Sequence, residues 1–231
     1  MKILAADTAT DVITVAVCDG SEILAETVVR RGRAHSERLL ATADWALNEA
    51  GLTLADLDAL AVSRGPGSFT GLRIGMAAWK GLAFAARLPL AAVPTLDAMV
   101  WLCPGVDGQV CPWLDARMNE VFAAVYAVKP DGSRVQTMGP IAAPVSEALR
   151  GARPGAVFLG DGAWRYRAAI EEAVPGAVFV AQGLGMPRAS AVAFEGARLI
   201  ESGQPADPAL AAPVYLRKSQ AETLRDRAAP L

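Results

Sequence analysis

Histidine is almost missing from this 231-residue chain, where His35 stands alone. Zinc hydrolases collect several histidine or cysteine ligands, so a single imidazole excludes that chemistry, and His35, just ahead of a helix, reads as a capping or interface group. Cysteine is scarce too. Cys18, Cys103 and Cys111 lie in apolar surroundings without CxxC spacing, which fits buried reduced thiols and neither a redox pair nor a metal site. No sign of charge dominates: the formal net charge is -2, so bulk attraction to nucleic acid or a membrane surface is not implied. The basic groups at Arg30, Arg31 and Arg33 and at Arg217-Lys218 read as solvated surface. A bilayer-spanning run is also absent. The most apolar stretch, Ile74 to Ala86, is interrupted by Lys80 and stops at Arg87, short of the ~18 to 20 residues a span requires. Met1-Lys2-Ile3-Leu4 runs directly into a strand pattern without the layout of an export signal. The expectation is a soluble, cytoplasmic protein with no membrane contact.

What the chain does have is a glycine-rich stretch, Ser63-Arg64-Gly65-Pro66-Gly67-Ser68-Phe69-Thr70-Gly71-Leu72-Arg73-Ile74-Gly75. It follows the apolar run Ala59 to Val62 and leads into a helix pattern from Gly71 to about Ala86, so it is a strand-to-helix turn, where α/β proteins place their sites. Gly65, Gly67 and Gly71 allow close approach by another group, and Ser68 or Thr70 can cap the helix. Two readings stay open: a phosphate cradle, or a tight turn with a capped helix.

Read in order, Lys2–Asp7, Val12–Cys18 and Ile23–Val29 form a strand meander, followed by a helix over Ser36–Ala50, the strand Ala59–Val62, the glycine loop and its helix, the strand Leu90–Val93 and a helix from Thr95. The second half echoes this order. Strands at Val110–Leu114 and Val121–Val128, a turn at Asp131-Gly132-Ser133, a short helix near Val145–Leu149, a strand Val157–Leu159, a helix Ala163–Ala173, a strand Ala177–Val180 and a helix Ala189–Glu201 place Asp115 where Asp7 stood. The pattern predicts an α/β protein with a duplicated ribonuclease H-like fold, the architecture of actin, Hsp70 chaperones and sugar kinases. The first lobe is expected over 1–103 and a smaller second lobe over 104–231, with the tail Pro213–Arg217 packing back.

Chemistry narrows the function. A nuclease of this fold gathers carboxylates on two metal ions, whereas the end of the fourth strand offers Ser63 and Arg64. Gly67-Ser68-Phe69-Thr70-Gly71 lacks the Gly-x-Ser-x-Gly spacing of a nucleophile elbow. An ATP-dependent kinase or phosphotransferase remains as an alternative. Its second phosphate loop, however, is here Asp115-Ala116-Arg117-Met118-Asn119-Glu120, bulky and carrying two carboxylates. Asp7, Asp11, Asp115 and Asp161 are read as strand-end turn residues or a residual acidic cleft.

The helix over Gly71–Ala86 carries only Arg73 and Lys80 as charged residues, and apolar groups cover nearly every direction. A helix apolar all round is buried all round, so one face belongs on its own sheet and the other calls for a partner, or for cover by the Ser36–Ala50 helix. A self-associating homodimer with an unrelated partner is a further alternative.

The opening Ile3-Leu4-Ala5-Ala6-Asp7-Thr8-Ala9-Thr10, the helix start His35-Ser36-Glu37-Arg38-Leu39, the glycine loop through Gly75, Asp115-Ala116-Arg117 and Pro213-Val214-Tyr215-Leu216-Arg217 together resemble the TsaB family, also called YeaZ. The resemblance implies a non-catalytic subunit needed to form N6-threonylcarbamoyladenosine beside the anticodon of tRNAs that read ANN codons. The family's partner is the transferase TsaD, of similar fold, whose metal is held by a His-x-x-x-His pair; the corresponding positions here are Thr95 and Met99. The resemblance makes Asp7, Thr8, Gly65, Pro66, Gly67, Ser68, Thr70, Gly71 and Arg73 the motif residues. It places the partner face on two helices, at His35, Ser36, Leu39, Leu40, Ala43, Ile74, Ala77, Ala78, Gly81 and Phe84. It implies no cofactor for the isolated chain, ATP or ADP and a divalent metal only in the assembly, a TsaE-like ATPase docking on the pair, self-pairing when the chain is alone, and indirect contact with tRNA. The peptidase label once given to the family finds no support in these residues.

Overall fold

The computed structural model describes residues 1–30, 35–204 and 207–217, with the backbone alone for 35–37. Strands β1 (Lys2–Asp7), β2 (Val12–Asp19) and β4 (Ala59–Gly65) are buried almost throughout, which is why they read as apolar runs. Edge strands β3 (Glu22–Arg30) and β5 (Leu90–Pro94) complete a sheet of order β3-β2-β1-β4-β5, with β2 antiparallel to β1 and β3 and the β1-β4-β5 pairs parallel.

Alternation along the central strands divides the core. Leu4, Ala6, Leu60 and Val62 face helices α1 (His35–Glu49) and α2 (Phe69–Ala86) in one cluster with Leu39, Ala43, Met76, Trp79 and Ala83. Ile3, Ala5, Ala59 and Ala61 face the opposite way, onto α7 (Ala189–Glu201). The approach of α7 is close enough that a methyl group on Gly196 would stand 2.8 Å from the Ala61 Cβ. At its N-terminal end Glu26 of β3 accepts hydrogen bonds from the Ser190 amide and hydroxyl and pairs with Arg188 at 2.6 Å.

A boundary at residue 103 thus separates the two sheets but not the two lobes. Helix α7 lies beyond it in sequence and supplies most of the cover on the second face of the first sheet, where, among the described residues, its own half contributes only Ala98 and Leu102 from the stretch after β5.

The second sheet repeats the first: β8 (Arg134–Pro144), β7 (Glu120–Val128), β6 (Gly108–Arg117), β9 (Val157–Leu159) and β10 (Val178–Phe179), in that spatial order. The echo is therefore a duplication of the ribonuclease H-like topology. Strand β8 has no counterpart in the sequence reading. Gly139-Pro140 and two register shifts against β7 break the alternation that marks a strand. The helix expected over Ala163–Ala173 is two helices, α5 (Asp161–Arg165) and α6 (Arg167–Ala173), divided at Tyr166, whose φ of -108° and ψ of 23° leave the helical region. One face of the second sheet holds these helices and the short α4 (Val145–Ala148) around Trp113, Phe158 and Ile170. The other face packs on α3 (Thr95–Met99) and the 3-10 turn Val100–Leu102, so Leu96, Met99 and Val100 meet Leu114, Phe122 and Tyr126 between the lobes.

Candidate functional site

Strand β4 continues three residues past Val62, carrying Ser63 and Arg64 into the sheet and ending on Gly65. The Gly65-Pro66 bond is cis, and Gly65 sits at φ +114°, a region that glycine alone occupies without strain. Ser68 then caps α2, its Oγ accepting from the Gly71 amide at 3.3 Å; of the two capping candidates it is Ser68 that serves, while Thr70 is exposed in the first turn.

The space that each glycine leaves is filled from within the chain. A methyl on Gly67 would lie 2.5 Å from the Ala9 carbonyl oxygen, and methyls on Gly71 and Gly75 would overlap the Thr8 carbonyl and the Thr8 hydroxyl. At Gly65 the overlap would be with the Val214 carbonyl, from the tail. Thr8 is buried and donates its hydroxyl to the Gly71 carbonyl at 2.9 Å, and the Ser68 amide donates to Ala9 at 2.7 Å. Loop and β1–β2 turn are packed backbone to backbone, so the space the glycines leave is taken up by Thr8 and Ala9.

The matching turn of the second lobe is built alike. Asp7 accepts from the Ala9 amide at 2.9 Å and Asp115 accepts from the Arg117 amide at 3.0 Å, the same bond two residues on in each lobe. Arg117, Met118 and Asn119 all take positive φ, so this turn offers bulky side chains where a phosphate loop uses glycine. Asp161 accepts from the Asp115 amide, and Arg165 and Arg117 pair with the Asp115 carboxylate at 3.4 and 3.6 Å. Burial pushes the Asp161 carboxyl above its ordinary range. At Asp7 burial raises the carboxyl to about 6, against the Ala9 amide and the neighbouring Ser63 hydroxyl, which favour its charged form. Asp7 and Asp115 are thus turn-forming groups, Asp161 ties its helix start to the Asp115 backbone, and Asp11 pairs with Arg30 at 3.3 Å. Among the described residues no cluster of three or more histidine, cysteine or acidic side chains is placed to hold a metal. Met99 lies in the apolar layer between the lobes and Thr95 is buried with its hydroxyl unpartnered. These residues do not fit a metal-nucleotide site.

A different surface stands out on α2. Gly71, Leu72, Gly75, Met76, Trp79 and Ala83 face inward, and the Trp79 indole donates to the Leu4 carbonyl at 3.2 Å. On the outer side Arg73, Ala77, Gly81, Phe84 and Ala85 are exposed, Phe84 by 60%. Helix α1 covers one flank, where Ile74, Ala78 and Leu82 are partly buried against the core, but it does not reach this stripe. The expectation that α2 is covered all round therefore does not hold within the chain. Its neighbour α1 adds exposed Leu40 (52%) and Trp45 (46%). Leu39 and Ala43, expected on the same face as Leu40, are a correction: at helical spacing they turn inward and are buried beside α2. The side chains of His35 and Ser36 lie outside the described residues. Arg73 stands over the Phe69 ring, 5.2 Å from its centre, and Phe69 packs on Tyr215 of the tail at 4.7 Å.

Several groups escaped the sequence reading. Lys80, the one cation in the middle of α2, donates to the Ala211 and Ala209 carbonyls of the tail at 3.0 and 3.3 Å. Glu195 is fully buried in α7, accepts from Trp101 at 2.9 Å and from Arg198 at 2.7 and 3.0 Å, and pairs with Arg134 of β8. Although burial works against its charge, these donors hold its carboxyl below the ordinary range. A carboxylate directly after the mostly apolar run Ala189–Phe194 was the available signal. All three cysteines are free and buried, and burial pushes the Cys18 and Cys111 thiols up to about 12 and Cys103 to about 11.

Comparison with known proteins decides the family. The chain is 30% identical to the tRNA threonylcarbamoyladenosine biosynthesis protein TsaB of Bacillus subtilis over 96% of both chains. It belongs to the TsaB family. A family model described as TsaD, tRNA N6-adenosine threonylcarbamoyltransferase, matches residues 22–223 of this TsaB-family chain. The TsaB of Escherichia coli is 41% identical over 57% of the chain and 58% of that relative. Among solved structures, YeaZ from Pseudomonas aeruginosa overlays with a TM-score of 0.76 at 31% identity, covering 93% of this chain and 99% of that one. A second Pseudomonas aeruginosa structure, described as similar to peptidase YeaZ, gives a TM-score of 0.77 at 30% identity over 94% and 99%. Among the described residues no helix is long and apolar enough to cross a membrane.

Proposed function

We propose that this chain is a non-catalytic subunit that binds and supports a TsaD-type threonylcarbamoyl transferase in forming N6-threonylcarbamoyladenosine in tRNA. The observation that carries the reading is the stripe Ala77–Gly81–Phe84–Ala85 on α2, apolar, small at its centre and exposed in the single chain. Small residues let a second helix approach closely, and Phe84, Leu40 and Trp45 supply large apolar anchors at the edges. Consistent with this reading, the relatives bear the name of a tRNA threonylcarbamoyladenosine biosynthesis protein and the matching family model that of the transferase.

The internally filled glycine loop supports the absence of chemistry in the subunit itself. On this proposal ATP or ADP and a divalent metal enter only with the partners, a TsaE-like ATPase docks on the heterodimer, tRNA is met through the transferase, and the chain alone covers the α2 stripe by self-pairing. Reconstitution tests it. The transferase with threonylcarbamoyl adenylate is expected to modify tRNA efficiently only when this chain is added, and modification by this chain alone would overturn the assignment. Calorimetry with ATP and magnesium tests the kinase alternative, for which micromolar binding by the isolated chain is required.

A further inference from the structure

We infer that residues 207–217 form a strap that ties the two lobes together across the cleft end of both sheets and holds them as one rigid body. On the first lobe, Ala211 is buried in the core beneath α1 and α2, Lys80 grips the Ala209 and Ala211 carbonyls, and the Val214 amide donates to the Arg64 carbonyl at 2.7 Å. Three residues later the strap is on the second lobe. Leu216 packs into the apolar layer that contains Leu114, Phe122 and Leu159, and Arg217 pairs with Glu120 at 3.0 Å. Arg64 lies at the carboxyl end of β4, and Glu120 opens β7 beside the turn that carries Asp115. Both anchor points are therefore at the end of the sheets where two-lobed α/β proteins keep their cleft.

Rigidity follows from where the other ties lie. Arg134, which pairs with the buried Glu195 of α7, stands opposite Val128, the last residue of β7, while Arg217 holds Glu120, the first. At about 3.3 Å per residue the two ties are roughly 26 Å apart along one strand. Tyr126, near the Val128 end, adds a bond to Asp97 of α3. Hinge closure turns one lobe about a single line; two ties leave only the line that joins them, and the apolar layer in which Leu96, Met99 and Val100 meet Leu114, Phe122 and Tyr126 opposes turning about it. Gly65 belongs to the same device: its missing side chain is the space in which the Val214 carbonyl lies.

Nitroxide labels at Ser21→Cys and Lys129→Cys, one exposed position in each lobe, test this in the full chain, the three native thiols being buried. Pulsed dipolar spectroscopy is expected to give one narrow distance distribution. Leu216→Asp combined with Arg217→Glu should broaden it at least twofold while circular dichroism remains native; an unchanged distribution in the folded variant overturns the strap. If the charged variant does not fold, Leu216→Ala carries the same test with a smaller broadening. In the unaltered protein the Val214 amide should exchange with solvent at least 100-fold more slowly than an unstructured amide, and exchange at the unstructured rate would equally overturn the inference.

Discussion

The Thr8 hydroxyl donates to the carbonyl of Gly71 at 2.9 Å, joining the end of β1 to the first turn of α2 across 63 residues of sequence. Gly71 and Gly75 are glycines because Thr8 lies where their side chains would be. Gly71→Ala should therefore lower stability by about 1 to 3 kcal/mol, the usual range for overpacking, and toward its upper end because the clash is with backbone that cannot retreat. Gly81 lies in the same helix with open space around it, so Gly81→Ala should raise stability by about 0.5 to 1 kcal/mol. Denaturant unfolding of both variants checks the contrast, and equal effects would remove the packing explanation of the motif.

Asp7 gives the protein a pH dependence of known sign. Its carboxyl rises from 3.8 to about 6 on burial, so the folded state holds a proton that the unfolded state releases between those values. Stability from this group consequently increases as pH falls from 7 toward 4. Asp7→Asn keeps an acceptor for the Ala9 amide and removes the buried charge, which should stabilise the protein at pH 7 by about 1 to 3 kcal/mol. Thermal unfolding at pH 7 and pH 5 measures both effects: the variant should lose the gain that the parent shows on acidification.

Glu195 behaves in the opposite way. Its carboxyl is held below 4.5, so its contribution is complete above that value and fades only as pH falls through the depressed folded value. Glu195→Ala leaves Arg134 and the Trp101 indole without their acceptor, and the expected loss is about 3 to 5 kcal/mol. Glu195→Gln, which keeps an acceptor oxygen, should lose distinctly less. Calorimetric unfolding distinguishes them.

Most of the architecture was legible because each strand and helix obeys its own period. The repeated order of strands and helices, the echo of Asp19-Gly20-Ser21 in Asp131-Gly132-Ser133 and the match of Asp7 with Asp115 carried the duplication. Strand β8 was not legible, since Gly139-Pro140 interrupts it, and neither was the placement of α7, because an apolar helix face does not say which sheet it covers. The site was half legible. Three glycines in a strand-to-helix turn announce close approach, but only coordinates reveal that what approaches is Thr8, Ala9 and Val214 of the same chain. Likewise Leu39 and Leu40 are equally apolar as letters, and their opposite exposures, 1% and 52%, follow from which side of α1 each occupies, a turn of about 100° apart.

The partner face is open to one direct measurement. Ala77 is exposed at the centre of the α2 stripe, so Ala77→Glu should leave the stability of the isolated chain within about 0.5 kcal/mol. Against a partner helix the same carboxylate would be buried unpaired, at a cost of several kcal/mol. Sedimentation of the parent chain mixed with a TsaD-type transferase is expected to give a heterodimer that the Ala77→Glu chain does not form. A folded Ala77→Glu chain that pairs with the transferase as tightly as its parent would contradict the assignment of this face.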